Sequence, residues 1–276
     1  MTISSSIVLY NTDQSQLLRL IDCIELSRVI DRVILVDNSP IKLDSFFFNL
    51  PNVTYIYVGE NIGYGAGHNI AIRLAIDANA DFHFVLNPDV YFQPEELEKM
   101  ISRMRVDESV GQLMPKVIYP DGSLQYLCKL IPTPFDLFFR RFLRGPFKEL
   151  ARNKAEKFEL RFTGYNHEMD VPYLSGCFML FRLSALKEIG LFDERFFMYP
   201  EDVDITRRMH VRYRTIFFPS AVIVHDHAKE SYKSVKMLWI HVANMIKYFN
   251  KWGWFFDAER KLVNSRVIET LRKQGL

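Results

Sequence analysis

The chain has 276 residues, 49% hydrophobic and 25% charged, with a net charge of +2. That is an ordinary globular balance, able to bury a sizeable core, and it excludes a global nucleic-acid signal. Cys23, Cys128 and Cys177 are odd in number and widely spaced, which excludes a disulfide framework or a cysteine metal site and predicts a reducing compartment.

The first element predicted is a short apolar strand, Ser6–Tyr10, followed by a turn at Asn11-Thr12-Asp13. A helix over Gln16–Leu26 comes next, then a buried strand Arg32–Val36 ending in Asp37-Asn38-Ser39-Pro40. Val53–Val58 is a third strand. A glycine-rich turn, Gly63–Gly67, leads to a helix over His68–Asn79. Phe82–Leu86 is a fourth strand closed by Asn87-Pro88-Asp89, and Pro94 opens a helix over Glu95–Arg105. Strands and helices alternating in this way predict an α/β fold with a mostly parallel, Rossmann-like sheet covered by helices. In such sheets ligands bind beyond the carboxyl ends of the strands, where Asn11, Asp37-Asn38 and Asn87–Asp89 all fall.

Further on, Leu113–Val117 reads as a strand and residues 130–168 as an irregular, basic, aromatic insertion. Tyr173–Phe181 reads as a buried strand broken at Gly176, Ser184–Glu188 as the start of a short helix, and Arg214–Phe218 and Ala221–Val224 as two strands. His225-Asp226-His227 follows, a possible metal or strand-end motif. From Lys229 onward the chain is helical, with ten Lys/Arg against four acids and several exposed-type aromatics. This gives a catalytic domain over 1–228, with halves at about 1–118 and 119–228, and a C-terminal extension over 229–276. A basic, aromatic tail of this kind suits an anionic membrane surface or a second copy of the chain, a homo-oligomer. The N-terminus has no basic n-region. The most apolar late stretch, Met237–Phe256, is interrupted by His241, Asn244, Lys247, Asn250 and Lys251. Neither signal peptide nor membrane span is therefore expected, and the location expected is cytoplasmic or peripheral at the inner face of the plasma membrane.

The densest chemistry is in Leu191–Arg207, LFDERFFMYPEDVDITR. Five acids, Asp193, Glu194, Glu201, Asp202 and Asp204, stand among five aromatic or sulfur side chains. Carboxylates in such surroundings are costly unless paired, hydrated or used. Pro200 interrupts any helix, and Asp202 or Glu201 is placed to cap one starting near Val203. A desolvated carboxylate there has the raised pKa of a general base; a capped surface helix explains the same pattern. Asp89 at a strand end can hold a divalent cation against phosphates. The glycine turn departs from a dinucleotide fingerprint because His68 stands at its third glycine.

Val36-Asp37-Asn38-Ser39, Asn61-x-Gly63-x-Gly65-x-Gly67-x-Asn69, Asn87-Pro88-Asp89 and Phe192-Asp193-Glu194…Glu201-Asp202-x-Asp204 occur in the order found in glycosyltransferase family 2. The chain resembles that family from about Ile7 to His225, and most of all its bacterial rhamnosyltransferase-like members. The resemblance implies a GT-A fold and an inverting, metal-dependent transfer in surface-polysaccharide synthesis. The metal is magnesium or manganese. The sugar, with L-rhamnose from dTDP-rhamnose the first to test, passes from a nucleotide-sugar donor to a glycan or polyprenyl-linked acceptor, with no nucleic-acid partner. Carried over by position, Tyr10, Asn11, Asp37, Asn38, Asn61, Gly63, Gly65, Asn69 and Asn87 bind the donor. Asp89 and His225 hold the metal, Ser175 and Gly176 shape the acceptor side, and Asp202 is the base with Glu201 beside it. The chain departs from the family in having Asn87 where its metal motif usually has a first Asp. Two other readings compete: a nucleotidyltransferase, which would want a basic phosphate loop that Tyr10–Asp13 lacks, and a non-catalytic nucleotide-sugar-binding module.

Overall fold

The first strand, β1 (Ile3–Leu9), forms the centre of the sheet because its apolar run is buried on both faces. It is flanked in parallel by β2 (Arg32–Asp37) and β4 (Phe82–Leu86), and β3 (Val53–Tyr57) adds beyond β2. We describe a computed structural model, which covers residues 1–43, 50–136, 148–226 and 235–276. The chain winds outward through β1, β2 and β3 and then returns to β4 on the other side of β1, so the strand order reverses between β1 and β4. That reversal opens a crevice at the carboxyl ends of those two strands.

Beyond β4 the sheet becomes mixed. β10 (Phe178–Arg182) lies antiparallel between β4 and β6 (Val110–Ile118). β11 (Arg214–His225) runs parallel to β6, and β5 (Val90–Phe92) and β8 (Met169–Asp170) pair antiparallel with β11. The two late strands expected over 214–224 are one strand with an irregularity between Phe218 and Val222. The strand expected over 173–181 is two, in different sheets. β9 (Tyr173–Leu174) pairs with β7 (Cys128–Lys129) in a small ribbon, and Ser175–Cys177 carries the chain from that ribbon to β10.

Helices α1 (Gln14–Ser27) and α3 (Glu95–Val106) cover one face of the sheet, where their apolar residues meet Ile7, Leu35 and Leu113. α2 (Tyr64–Asp77) begins four residues earlier than its periodicity suggests and includes two of the glycines. Under it runs a buried polar chain. Ser4 Oγ contacts His83 Nδ1 at 2.7 Å, His83 Nε2 contacts Ser6 Oγ at 2.8 Å, and Ser6 Oγ contacts His68 Nδ1 at 2.7 Å. Burial pushes both imidazoles well below their usual pKa, His83 to about 3, so both are neutral in the fold.

The stretch read as an irregular insertion is not irregular throughout. It holds α4 (Lys148–Phe158), and its Leu160 and Tyr165 enter a second core with Met114 and Phe217. Residues 137–147 lie outside the described residues, as does His227. After α5 (Leu183–Ile189) and α6 (Glu201–His210), the tail forms α7 (Val235–Trp252) and α8 (Ala258–Lys273). These two helices bury Tyr248, Phe249, Val267 and Leu271 in the second core.

The polar seam between α6 and the tail is more specific than the apolar one. Arg207, 1% exposed, donates two bonds of 2.8 Å to Asp257 and stacks its guanidinium 4.0 Å from the centroid of the Trp252 ring. Asp257 also accepts from the Arg260 N–H at the start of α8. Asp257→Ala strands a buried guanidinium and should cost about 3–5 kcal/mol. By contrast, Arg73→Ala breaks a half-exposed pair with Glu194 and should cost about 1 kcal/mol or less. Urea unfolding of the two variants checks the contrast; equal losses would show that the tail is not anchored by this pair.

Candidate active site

Three structures meet around the side chain of Tyr64 at the start of α2: the first turn of α6, the link between β9 and β10, and the ends of β4 and β11. Burial raises the Tyr64 hydroxyl well above its usual pKa, and Cys177, Glu201, Asp202 and Asp89 add to the effect. Tyr64 Oη donates to Gly176 O at 2.5 Å, while the Gly176 N–H donates to Asp202 Oδ2 at 3.0 Å. One peptide unit thus ties α2 to the acidic turn. A Cβ on Gly176 would lie 3.3 Å from Asp202 Cβ, closer than ordinary packing allows without a shift.

Helix α6 starts at Glu201, directly after Pro200, and neither Asp202 nor Glu201 caps it from outside. Both lie within its first turn, where the exposed backbone N–H groups favour negative charge. Tyr199, just before the proline, has φ +90°, a strained value for an aromatic residue that marks a constrained junction. Glu201 and Asp202 are 4% and 8% exposed. Burial raises Asp202 to about 6 against the opposing pull of Lys129 and the N–H groups of Gly176 and Val203. Burial, and then the charge of Asp202, raises Glu201 to about 8; its Oε2 accepts no hydrogen bond. Burial and mutual repulsion therefore disfavour ionising both carboxyls of the pair at once.

Asp89 and His225, remote in sequence, come together. Asp89 Oδ1 lies 3.3 Å from His225 Nε2 and accepts no conventional hydrogen bond. His225 Nδ1 is positioned by Gln125 Oε1 at 3.0 Å, and Gln125 Nε2 in turn donates to His225 O. Burial disfavours the imidazolium, but Cys177 and Asp89 favour it more, raising His225 to about 10. A divalent cation would invert that balance, because ligation needs the neutral ring. One hard oxygen and one imidazole nitrogen suit magnesium or manganese. No group of three or more His, Cys, Asp or Glu able to hold a metal exists among the described residues. Diphosphate oxygens and water would have to complete the shell, the usual arrangement for magnesium on nucleotides. Asn87 lies at the end of β4, where its backbone N–H donates to Cys177 O.

The residues carried over for donor binding divide in two. Tyr10 and Asn11 are exposed at the mouth of the crevice, with Asn11 N–H donating to Ser39 Oγ. Asn61 accepts from the Gly63 N–H. Asp37 and Asn69, by contrast, are engaged within the protein. Asp37 accepts from Tyr55 Oη at 2.5 Å and from the N–H groups of Ser39 and Leu43. Asn69 donates to Phe192 O and Glu194 and accepts from Phe192 N–H, clamping the acidic segment to α2. Asn38, 1% exposed, donates to Gly63 O.

The glycines serve the same clamp. Gly63 has φ +96°, and a Cβ there would lie 2.5 Å from Phe197 O; one on Gly65 would lie 2.9 Å from Phe192 Cβ. They let the loop approach the acidic segment to a distance that a side chain would forbid. Sequence reasoning gave no role to Tyr64, which stands inside the glycine turn. A hollow of about 440 Å³ between Met1, Asp81, Arg105 and Arg182 lies at the amino ends of β1 and β4, away from all these groups.

The sequence profile of Glycosyl transferase family 2 matches residues 4–190. Among curated proteins, the chain is 33% identical over 193 residues to the N-acetylglucosaminyl-diphospho-decaprenol L-rhamnosyltransferase of Mycobacterium tuberculosis, covering 64% of this chain and 60% of that one. It is 24% identical over 218 residues to the rhamnosyltransferase WbbL of Escherichia coli, covering 75% of each. Among solved structures it resembles the mannosyltransferase PcManGT of Pyrobaculum calidifontis, in complex with GDP-Man and Mn2+ (TM-score 0.55, 18% identity, 98% of this chain and 73% of that one). It also resembles TarS of S. aureus in complex with UDP (TM-score 0.56, 13% identity, 97% and 71%). These likenesses show a shared GT-A architecture.

Proposed function

The chain belongs to glycosyltransferase family 2, and from that premise we propose that it transfers a sugar, L-rhamnose first among those to test, from a nucleotide-sugar donor to a polyprenyl-linked glycan, with inversion. The observation that carries this reading is the pair of buried carboxyls at the start of α6, Glu201 and Asp202, set across Tyr64 from Asp89 and His225. The mycobacterial relative is named for an acceptor of that kind. The chain spans 60% of that relative's length.

Inversion needs a single base to take the acceptor proton as the hydroxyl oxygen attacks the anomeric carbon. Asp202 is the ionised carboxylate of the pair, and the N–H groups of Gly176 and Val203 fix its orientation. Glu201, holding a proton, can donate a hydrogen bond to the acceptor without competing for its proton. Asp89 and His225 would hold the divalent cation, whose chemistry there is to neutralise charge developing on the leaving diphosphate. Ser175, on the link that carries Gly176, faces the acceptor side. The exposed Tyr10 and Asn11 lie where a nucleotide would enter.

The tail adds a membrane-facing surface to this reading. Trp239 and Ile246 are exposed along α7, and Phe255 and Phe256 are 78% and 99% exposed in the turn after it. Aromatic side chains of this kind settle at the headgroup level, and neighbouring lysines such as Lys261 add attraction to anionic lipid. No helix among the described residues is long and apolar enough to cross a membrane. Lys251 and Trp254 are not part of this surface. Lys251 Nζ lies 2.7 Å from Asp193 and 2.6 Å from Asp204, and Trp254 packs on Phe249.

Three outcomes are expected. Asp202→Asn should lower turnover of labelled donor by about 100-fold or more with donor binding little changed. Glu201→Gln, which mimics the protonated acid, should lose far less, and the wild-type rate should fall as the pH drops below about 6. Equal losses in the two variants would reverse the assignment of the proton.

Chelation by EDTA should abolish transfer and manganese or magnesium should restore it, whereas Asp89→Ala should not be rescued at the same metal concentration. Full activity in chelator would remove the metal from the reading. A thermal-shift panel of nucleotide sugars identifies the donor, since a ligand that binds only the folded state raises Tm.

For the tail, co-sedimentation with vesicles containing phosphatidylglycerol should occur at low salt and weaken at high salt. Replacing Trp239, Phe255, Phe256 and Lys261 together should abolish it while leaving turnover on a short soluble acceptor intact. Undiminished co-sedimentation by that variant would show that this surface does not dock on lipid.

A further inference from the structure

A carboxylate that takes a proton from a bound hydroxyl must be aimed, and it is aimed by the groups it hydrogen-bonds. Asp202 has two such bonds among the described residues. Its Oδ1 accepts from the Val203 N–H at 2.7 Å, within α6 itself. Its Oδ2 accepts from the Gly176 N–H at 3.0 Å, the one bond that ties it to the opposite side of the site. Gly176 sits in the short link between strands of two different sheets. A glycine there is the residue least able to hold the direction of its own N–H. No larger residue fits, since a Cβ would lie 3.3 Å from Asp202 Cβ and 3.6 Å from Tyr64 Cε1.

What the glycine lacks, Tyr64 supplies. Its hydroxyl donates to Gly176 O at 2.5 Å, which fixes the backbone on the far side of the same Cα. Tyr64 is itself held at both ends. Its ring packs in a T-shape on His68, with centroids 4.4 Å apart, and on Phe192 at 6.4 Å. Its backbone N–H donates to Phe197 O at 3.0 Å, and the Phe197 N–H donates to Asn244 Oδ1 at 3.2 Å. Asn244 lies on α7 and is 2% exposed. We propose that Tyr64 is a positioning residue: its hydroxyl holds Gly176, and through Gly176 the Asp202 carboxylate, in the orientation that receives the acceptor proton. This rests on the reading of Asp202 as the base and assigns what aims it. The aim then runs by hydrogen bonds from the tail, through the acidic segment and α2, to the base.

Tyr64→Phe removes the hydroxyl and keeps the ring. With the full chain, dTDP-rhamnose, manganese and a short soluble glycosyl-diphosphate acceptor, kcat should fall about 10-fold or more in this variant. The KM values of donor and acceptor should stay within about twofold. In the Asp202→Asn background the same substitution should change the residual rate by less than about twofold, because the group it aims is already gone. The Gly176 amide proton, followed by NMR in the presence of EDTA, should move upfield in Tyr64→Phe as its bond to Asp202 weakens. An unmoved amide, an undiminished kcat, or an equal loss in both backgrounds overturns the proposal. A loss confined to the acceptor KM also overturns it and makes Tyr64 an acceptor contact. A moved amide in a protein that turns over no nucleotide sugar leaves Tyr64 orienting Asp202 and removes the glycosyl-transfer reading instead.

Discussion

A guanidinium buried to the extent of Arg207 must have a carboxylate, and the one it has is on the tail. That ion pair fixes the second turn of α6 relative to α8, and the position of the first turn follows from it, since ten residues of helix move as one rod. The rest of the acidic segment can be understood from there. Asp204 is neutralised by Arg208, Lys251 and the Trp252 indole, and Asp193 by Lys251 and Arg195. Glu194 is taken by Asn69 and Arg73. Three of the five acids are thus satisfied by cations or amides, which leaves the buried Glu201 and Asp202 to repel each other. Selective neutralisation of neighbours, more than any single property of the two residues, is what makes the pair chemically distinct.

The glycine loop contributes by being thin. Close approach of its backbone to Phe192 and Phe197 brings Tyr64 under Gly176, and Tyr64 is where the acidic turn and the sheet end meet. The tail and the loop act from opposite sides on the same segment. A change at either would be felt at the base without touching substrate, a coupling carried by rigid contacts and not by a charge.

The mostly parallel sheet was legible because its strands are short, apolar runs with turn residues at their carboxyl ends, and position 202 was legible because acids among aromatics demand explanation. The early start of α2 was not, since glycines at 65 and 67 lower helix propensity and their reason, contact with Phe192 and Val8, is tertiary. The bond from Tyr55 to Asp37 and the clamp of Asn69 on Phe192, made across 18 and 123 residues, are likewise tertiary and left no mark on the sequence. The tail's basic residues read as one surface, yet Lys251 and Arg260 face inward and Lys261 outward, a division that net charge does not express.

The buried chain Ser4–His83–Ser6–His68 has a direction. Each neutral imidazole carries one N–H and each hydroxyl one O–H, so neighbouring links cannot be set independently. If Ser4 donates to His83 Nδ1, His83 Nε2 must donate to Ser6, Ser6 must donate to His68 Nδ1, and the last hydrogen sits on His68 Nε2. That nitrogen has no hydrogen-bond partner, and the His68 and Tyr64 rings pack in a T-shape with centroids 4.4 Å apart. If instead His83 Nδ1–H donates to Ser4, every link reverses, His68 Nε2 becomes a bare lone pair, and the Ser4 hydroxyl donates to Phe82 O at 3.4 Å. The tautomers of His68 and His83 are therefore set together, so a substitution that supplies or removes a hydrogen at either end of the chain is felt at both rings.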